Sequence, residues 1–212
     1  MALTTFADLK ASIVSWSKRN DISNMVDDFI VLAEAEMYNN QPGPIRIRAM
    51  EARATASVST SSRFLELPTD FLQMRRLKLN SPFGTSSYDT DIEYYSPEQM
   101  PLCGLVNVPR FFTVTTQLEF DSTPDQAYTI EMQYLKKLTA LSDSNTTNYI
   151  LTNYPTIYLY GTLWALFQYS MEQDVAEYYY SEFIKSIQGA NATDQAGRYG
   201  SAPVVRIEGY TP

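Results

Sequence analysis

The segment from Ala140 to Gly161 most constrains what this chain can fold into. A polar run, Leu141-Ser142-Asp143-Ser144-Asn145-Thr146-Thr147-Asn148, leads through Tyr149-Ile150-Leu151-Thr152-Asn153-Tyr154 into Pro155, a residue suited to open a helix. Beyond it Ile157, Tyr158, Leu159, Tyr160, Leu163, Trp164, Leu166 and Phe167 are apolar almost all round the helix. A helix without a wet face has to sit at the centre of a packed body. The rest of the chain must supply the elements that cover it.

Helical covers are legible at both ends. Phe6, Leu9, Ile13 and Trp16 recur at helical spacing, which predicts a helix from Thr5 to Lys18 with Thr5 as cap and Asp8 completing the capping box. Ser23 or Asn24 is expected to cap a second helix with Val26, Phe29, Ile30, Ala33 and Met37 on one face, stopped by Gln41-Pro42-Gly43-Pro44. The short Arg19 to Ser23 connection makes these two an antiparallel hairpin. A last helix is expected from Gln173 to Gln188 with Val175, Tyr179, Phe183 and Ile187 inward. The Gly, Ala, Ser and Pro content after about residue 189 reads as an extended tail that still holds the strand-forming run Pro203-Val204-Val205-Arg206-Ile207.

Between the helical ends the period changes to two. Met50, Ala52, Ala54, Ala56 and Val58 alternate with Glu51, Arg53, Thr55 and Ser57, although residues 46–53 are also helix-prone. Strands are expected at Leu72–Leu79, Asp91–Tyr95, Phe111–Thr115 and Leu118–Phe120, with a helical turn starting at Ser96-Pro97. The clearest strand alternates Tyr128, Ile130, Met132 and Tyr134 with Thr129, Glu131 and Gln133. The fold class is therefore α+β: an N-terminal helical hairpin (1–44), a central antiparallel β region (45–137) and a C-terminal helix pair (138–190). These are read as one compact unit followed by an extended tail (191–212).

Composition removes most catalytic classes. The 212 residues contain no histidine, the usual general acid and base near neutral pH and the commonest metal ligand. The single cysteine, Cys103, has no histidine to activate it and reads as a small hydrophobe. Asp89, Asp91 and Glu93 alternate as a solvated strand edge more readily than as a cation site. Asp143 and Asn145 begin like a calcium loop, but Tyr154 stands where the bidentate glutamate belongs. No phosphate-binding glycine loop or dinucleotide fingerprint is present, so no cofactor is expected. The Asn-x-Thr triplets at Asn145 and Asn191 are read as chance matches.

A formal charge of -8 argues against gripping nucleic acid. The N-terminus lacks the basic and apolar regions of a signal peptide, and no run is long enough to span a bilayer, so a soluble protein made in the cytoplasm is expected. Arg46, Arg48, Arg53, Arg75 and Arg76 stand out in a chain poor in arginine. They are candidates for an interface with carboxylates of a neighbouring subunit, or for ion pairs within the chain, and both readings stay open.

In order along the chain stand Asp28-Phe29-Ile30-Val31-Leu32-Ala33-Glu34, Arg46-Ile47-Arg48-Ala49-Met50-Glu51 with Arg53-Ala54-Thr55, and Leu67-Pro68-Thr69-Asp70-Phe71-Leu72 with Arg75-Arg76-Leu77. Then follow Tyr95-Ser96-Pro97-Glu98-Gln99, Pro109-Arg110-Phe111-Phe112, Leu138 with Ala140-Leu141-Ser142-Asp143, and Thr152-Asn153-Tyr154-Pro155 with Tyr158-Leu159-Tyr160-Gly161. In these motifs, over most of residues 5–190, the chain resembles the head-to-tail adaptor (connector) family of short-tailed bacteriophages. The resemblance does not reach past about Gly197.

The resemblance implies a structural virion protein with no catalytic residues: a dodecameric ring at the head–tail junction, docked on a portal protein and receiving a tail or nozzle protein. Genomic DNA would pass through its lumen during retention and ejection without sequence-specific binding. Twelve acidic subunits at -8 each carry about -96, which favours sliding of DNA over binding. The tail after Gly197 is expected to add as a strand, or lie in a groove, on portal or neighbour, with Pro203, Val204, Val205, Arg206, Ile207 and Tyr210 as contact candidates. The alternative is a tail- or fibre-associated module that binds host glycan through an exposed aromatic platform. A carboxylate-only hydrolase would need two acids facing each other about 5–9.5 Å apart, and no spacing singles out such a pair.

Overall fold

Pro155 occupies the first turn of α4 (Pro155–Tyr169), where its missing N–H costs no helical hydrogen bond. Ile157, Tyr158, Leu159, Leu163, Leu166 and Phe167 are all buried, as an apolar central helix requires. Around α4 pack α1 (Phe6–Ser17), α2 (Val26–Asn39) and α5 (Gln173–Ala196), with the short α3 (Tyr149–Asn153) leading into it. The approach is closest at Gly161. A Cβ there would lie 2.8 Å from the Phe183 ring of α5 and 3.1 Å from the Ala33 Cβ of α2.

This computed structural model describes residues 3–39, 43–83, 86–101, 104 and 106–198, the side chains of 81–83 and 86–88 excepted. The chain divides into two compact units, Met1–Ala49 with Leu138–Pro212 and, separately, Met50–Lys137. Both ends of the chain build one unit and its middle builds the other. The class is α+β, with helices at both ends and β-sheet in the middle.

In the helical unit the local signals act as the spacing predicts. Thr5 accepts a hydrogen bond from the Asp8 N–H at 3.2 Å and Asp8 accepts one from the Thr5 N–H at 3.1 Å, a complete capping box. Val26, Phe29, Ile30, Ala33 and Met37 are the buried face of α2. Two details differ. The Phe29 N–H bonds to the Met25 carbonyl, so the cap position of α2 falls on Met25 after a backbone turn from Ile22, and not on Ser23 or Asn24. Trp16, expected on the inner seam of α1, is half exposed and sets its edge against Tyr160.

Helix α5 runs to Ala196, past Gln188, so residues 189–196 are helical where an extended tail was expected. The reason lies far away in sequence. Ile45 and Ile47 are fully buried, and the chain around them, from Pro44 to Arg48, is bonded to two α5 side chains. The Arg46 N–H donates to Asn191 Oδ1 at 2.8 Å, Asn191 Nδ2 donates to the Pro44 carbonyl at 3.1 Å, and the Arg48 N–H donates to Asp194 Oδ2 at 3.0 Å. Asn191 and Asp194 stand three apart on one helix face and serve the extended segment as a neighbouring strand would.

The second unit holds two four-stranded sheets in place of one. Its strands are β1 (Glu51–Val58), β2 (Phe64–Leu65), β3 (Phe71–Phe83), β4 (Ser86–Asp91), β5 (Glu93–Tyr94), β6 (Phe111–Val114), β7 (Leu118–Phe120) and β8 (Tyr128–Lys136). One sheet has the order β1-β8-β3-β4, all antiparallel; the other has the order β2-β7-β6-β5, in which β5 runs parallel to β6. Only a 3-10 turn, Arg48–Met50, precedes β1, because Ala52, Ala54, Ala56 and Val58 pair with Tyr134, Met132, Ile130 and Tyr128, small side chains beside large ones over one core. Ser96-Pro97 opens a turn closed by Gln99 N–H to the Ser96 carbonyl, and among the described residues no helix follows it.

Candidate functional site

The polar run before α4 is a tied loop. Asn148 caps α3 by accepting from the Leu151 N–H at 2.9 Å, and its amide donates to the Tyr158 hydroxyl at 2.6 Å. Asn145 donates to the Ala140 carbonyl at 2.7 Å, and Ser142 Oγ accepts from the Asn145 N–H at 3.0 Å. Of the two side chains that suggested an ion loop, Asn145 is committed to the backbone and Asp143 pairs with Lys10 Nζ at 3.3 Å. Asn145 and Asn191, the two heads of Asn-x-Thr triplets, both spend their amides on structure.

Three inward-facing carboxylates escaped the sequence reading. Glu34 of α2 accepts from the Leu141 N–H at 2.9 Å and from the Tyr158 hydroxyl at 2.8 Å, and burial pushes its carboxyl above the usual range. Burial also raises the Tyr158 and Tyr38 hydroxyls beside it. Asp121 accepts from the N–H groups of Arg110 and Phe111 at 3.0 and 3.3 Å. Asp194 receives both the N–H and Nε of Arg48. Each holds a chain reversal or crossing in place.

The five candidate arginines divide between the units. Arg46 and Arg48 lie at the end of α5, where Arg46 Nη1 donates to the Ile45 carbonyl and Arg48 pairs with Asp194. Arg53 pairs at 3.5 Å with Glu131 across β1 and β8. Arg76 makes a bidentate pair with Asp91 at 2.7 and 2.6 Å, which holds the Asp91 carboxyl below its usual range. Arg75 is exposed and has no ion pair among the described residues.

Asp89 and Asp91 face Lys78 and Arg76 across the β3–β4 ladder, while Glu93 belongs to the other sheet, so the alternating acids are a paired strand edge. Cys103, Pro203, Val204, Val205, Arg206, Ile207 and Tyr210 lie outside the described residues.

Large apolar side chains left in water are the feature sequence periodicity could not reveal. Val31 and Leu32 on the outer side of α2 are 60% and 53% exposed. Trp16, Tyr160, Tyr179 and Tyr178 form a string of neighbouring rings across α1, α4 and α5, with centroid separations of 6.3, 6.2 and 5.3 Å. Tyr179 also stacks on Phe167, and Tyr180 donates to Glu36 at 3.0 Å, so the tyrosine triplet packs on two sides with Tyr178 outermost. Exposed apolar surface of this kind marks contact with other macromolecules.

Among the described residues no helix is long and apolar enough to cross a membrane. No curated protein sequence matches the chain. The family model described as SU10 adaptor protein matches residues 4–206, which carries the likeness past Gly197 and into the Pro203-Val204-Val205-Arg206 run. The chain belongs to the SU10 adaptor protein family and is a structural adaptor protein of a bacteriophage.

Proposed function

We propose that twelve copies form a ring between the portal and a tail or nozzle protein, and that the ring keeps open the channel through which genomic DNA is retained and then ejected. The family match over residues 4–206 carries this reading. The charge supports it: a lumen built from subunits at -8 repels the DNA backbone and lets it slide. Exposed Val31, Leu32 and Tyr178 supply apolar area for contacts between copies or with partners. Synthesis in the host cytoplasm and residence at the head–tail junction follow from the same role.

Electron microscopy of the protein mixed with its portal tests the proposal. The expected result is a twelve-fold ring seated on the portal. A stable monomer that ignores the portal overturns it.

One observation favours a second reading. The ring string from Trp16 to Tyr178 is shallow and partly exposed, as an aromatic platform for host glycan would be. The two readings part on what covers these rings. Quenching of Trp16 fluorescence by acrylamide that drops on self-assembly supports the adaptor, whereas protection only by cell-surface glycan supports the module.

A further inference from the structure

The two sheets of the middle unit part at Ile92. The Ile92 N–H still donates to the Leu77 carbonyl of β3, but the Glu93 N–H donates to the Arg110 carbonyl, and β5 continues beside β6. Pairing of β3 with β4 covers only Lys78–Phe83. Among the described residues, the first half of β3, Phe71–Arg76, therefore has β8 on one side and no strand on the other. Between this open edge and β5 and β6 lies a groove of about 530 Å3, with Leu72, Met74 and Arg75 on one wall and Tyr94, Phe112 and Val114 on the other.

The edge is shaped as well as open. The β3–β8 register slips twice, leaving Leu72 and Arg75 as the extra residues of two bulges, and both line the groove. Bulges re-aim side chains, and here they set one apolar and one exposed cationic residue along the rim of the same trough. Arg75 is the candidate arginine whose charge finds no carboxylate within the described part of its chain. Tyr94 on the opposite wall is 58% exposed. An open edge, an apolar floor and a free cation together call for an extended apolar segment that carries an acid.

The chain contains such a segment. In Pro203-Val204-Val205-Arg206-Ile207-Glu208 the alternate residues Pro203, Val205 and Ile207 are apolar, while in a strand Val204, Arg206 and Glu208 would fall on the other side. We propose that Pro203–Glu208 of one copy adds as a strand along Phe71–Arg76 of the adjacent copy, with Val205 and Ile207 turned into the groove and Glu208, on the opposite face, paired to the exposed Arg75 at the groove's rim. Groove and segment are different patches of one chain, so each copy offers one and receives the other, the head-to-tail geometry that closes rings. The inference rests on the ring reading and deepens it.

Cysteine cross-linking of the full-length chain tests the exchange. In a Cys103→Ser background, Gln73→Cys on the exposed side of the β3 edge is combined in turn with Val204→Cys, Arg206→Cys or Glu208→Cys, and native mass spectrometry measures assembly independently. The expected result is a ladder of covalent multimers under oxidising conditions, lost on reduction and absent from each single-cysteine variant. In parallel, Arg75→Glu is expected to raise the assembly midpoint concentration about 3–5-fold, and Glu208→Arg to restore it.

Rings without any cross-link in the three pairs overturn the exchange while leaving the ring standing. A fast-migrating internally linked monomer, or protection of the edge cysteine only when portal is added, also overturns it. A chain truncated after Arg198 that assembles at the wild-type concentration does the same. Protein that never oligomerises, with or without portal, removes both the exchange and the ring.

Discussion

Tyr158 on α4 donates its hydroxyl to Glu34 on α2 at 2.8 Å while accepting from the Asn148 amide at 2.6 Å, so one phenol joins the loop before α3 to two helices. Tyr158→Phe keeps the ring and removes the link. It leaves the Asn148 amide without this acceptor and Glu34 without one of its two donors. A loss of about 1–3 kcal/mol in unfolding free energy is expected, read as a lower urea midpoint at unchanged slope.

Glu34 also sets a pH dependence. Its carboxyl is raised by burial, so the folded chain holds the proton more tightly than the unfolded chain does. Its contribution to stability is greatest below the ordinary glutamate pKa of 4.5 and falls as pH rises through the elevated value. Asp8, Asp21 and Asp91 are lowered by hydrogen bonds from Thr5, Arg19 and Arg76, and their contributions are lost in the opposite direction, as pH falls below 3.8. Glu34→Gln keeps an acceptor for Leu141 and Tyr158 without a buried charge. Urea midpoints measured across weakly acidic to neutral pH should fall in the wild type and stay flatter in the variant.

Gly161 is where three helices meet. Alanine is the better helix former by about 1 kcal/mol, but its methyl would meet the buried Phe183 ring and the Ala33 methyl. Overpacking wins because neither neighbour can swing into solvent. Gly161→Ala should destabilise by about 1–3 kcal/mol in thermal unfolding, and adding Phe183→Leu should recover part of the loss.

Asp194 is 3% exposed and receives two hydrogen bonds from Arg48. Asp194→Ala leaves the Arg48 N–H without its acceptor, at a cost of about 1–3 kcal/mol. Hydrogen exchange should quicken at Arg46 and Arg48 and through the last turns of α5, while the β8 amides of the other unit keep their protection.

Much of this fold is legible locally. The Thr5–Asp8 box, the α2 face from Val26 to Met37, the Asn148 cap and the alternation from Tyr128 to Tyr134 depend on residues a few positions apart, and periodicity and capping report those interactions directly. Motif order along the chain was likewise enough for the adaptor family.

Long-range pairing decided the rest. Helix α5 extends to Ala196 because Asn191 and Asp194 bind a segment near residue 46, and Arg48 pairs with Asp194 for the same reason. Ile92 divides one expected sheet into two because its neighbours choose β6 over β3, a competition between strands that alternation cannot encode. Val31 and Leu32 look like core by composition, yet α4 covers only the opposite face of α2 and leaves them in water. By itself the sequence determined the helices, most of the strands and the family. Tertiary structure decided which charges are neutralised inside the chain and which edge and apolar surfaces remain for partners, because both depend on residues brought together from distant positions.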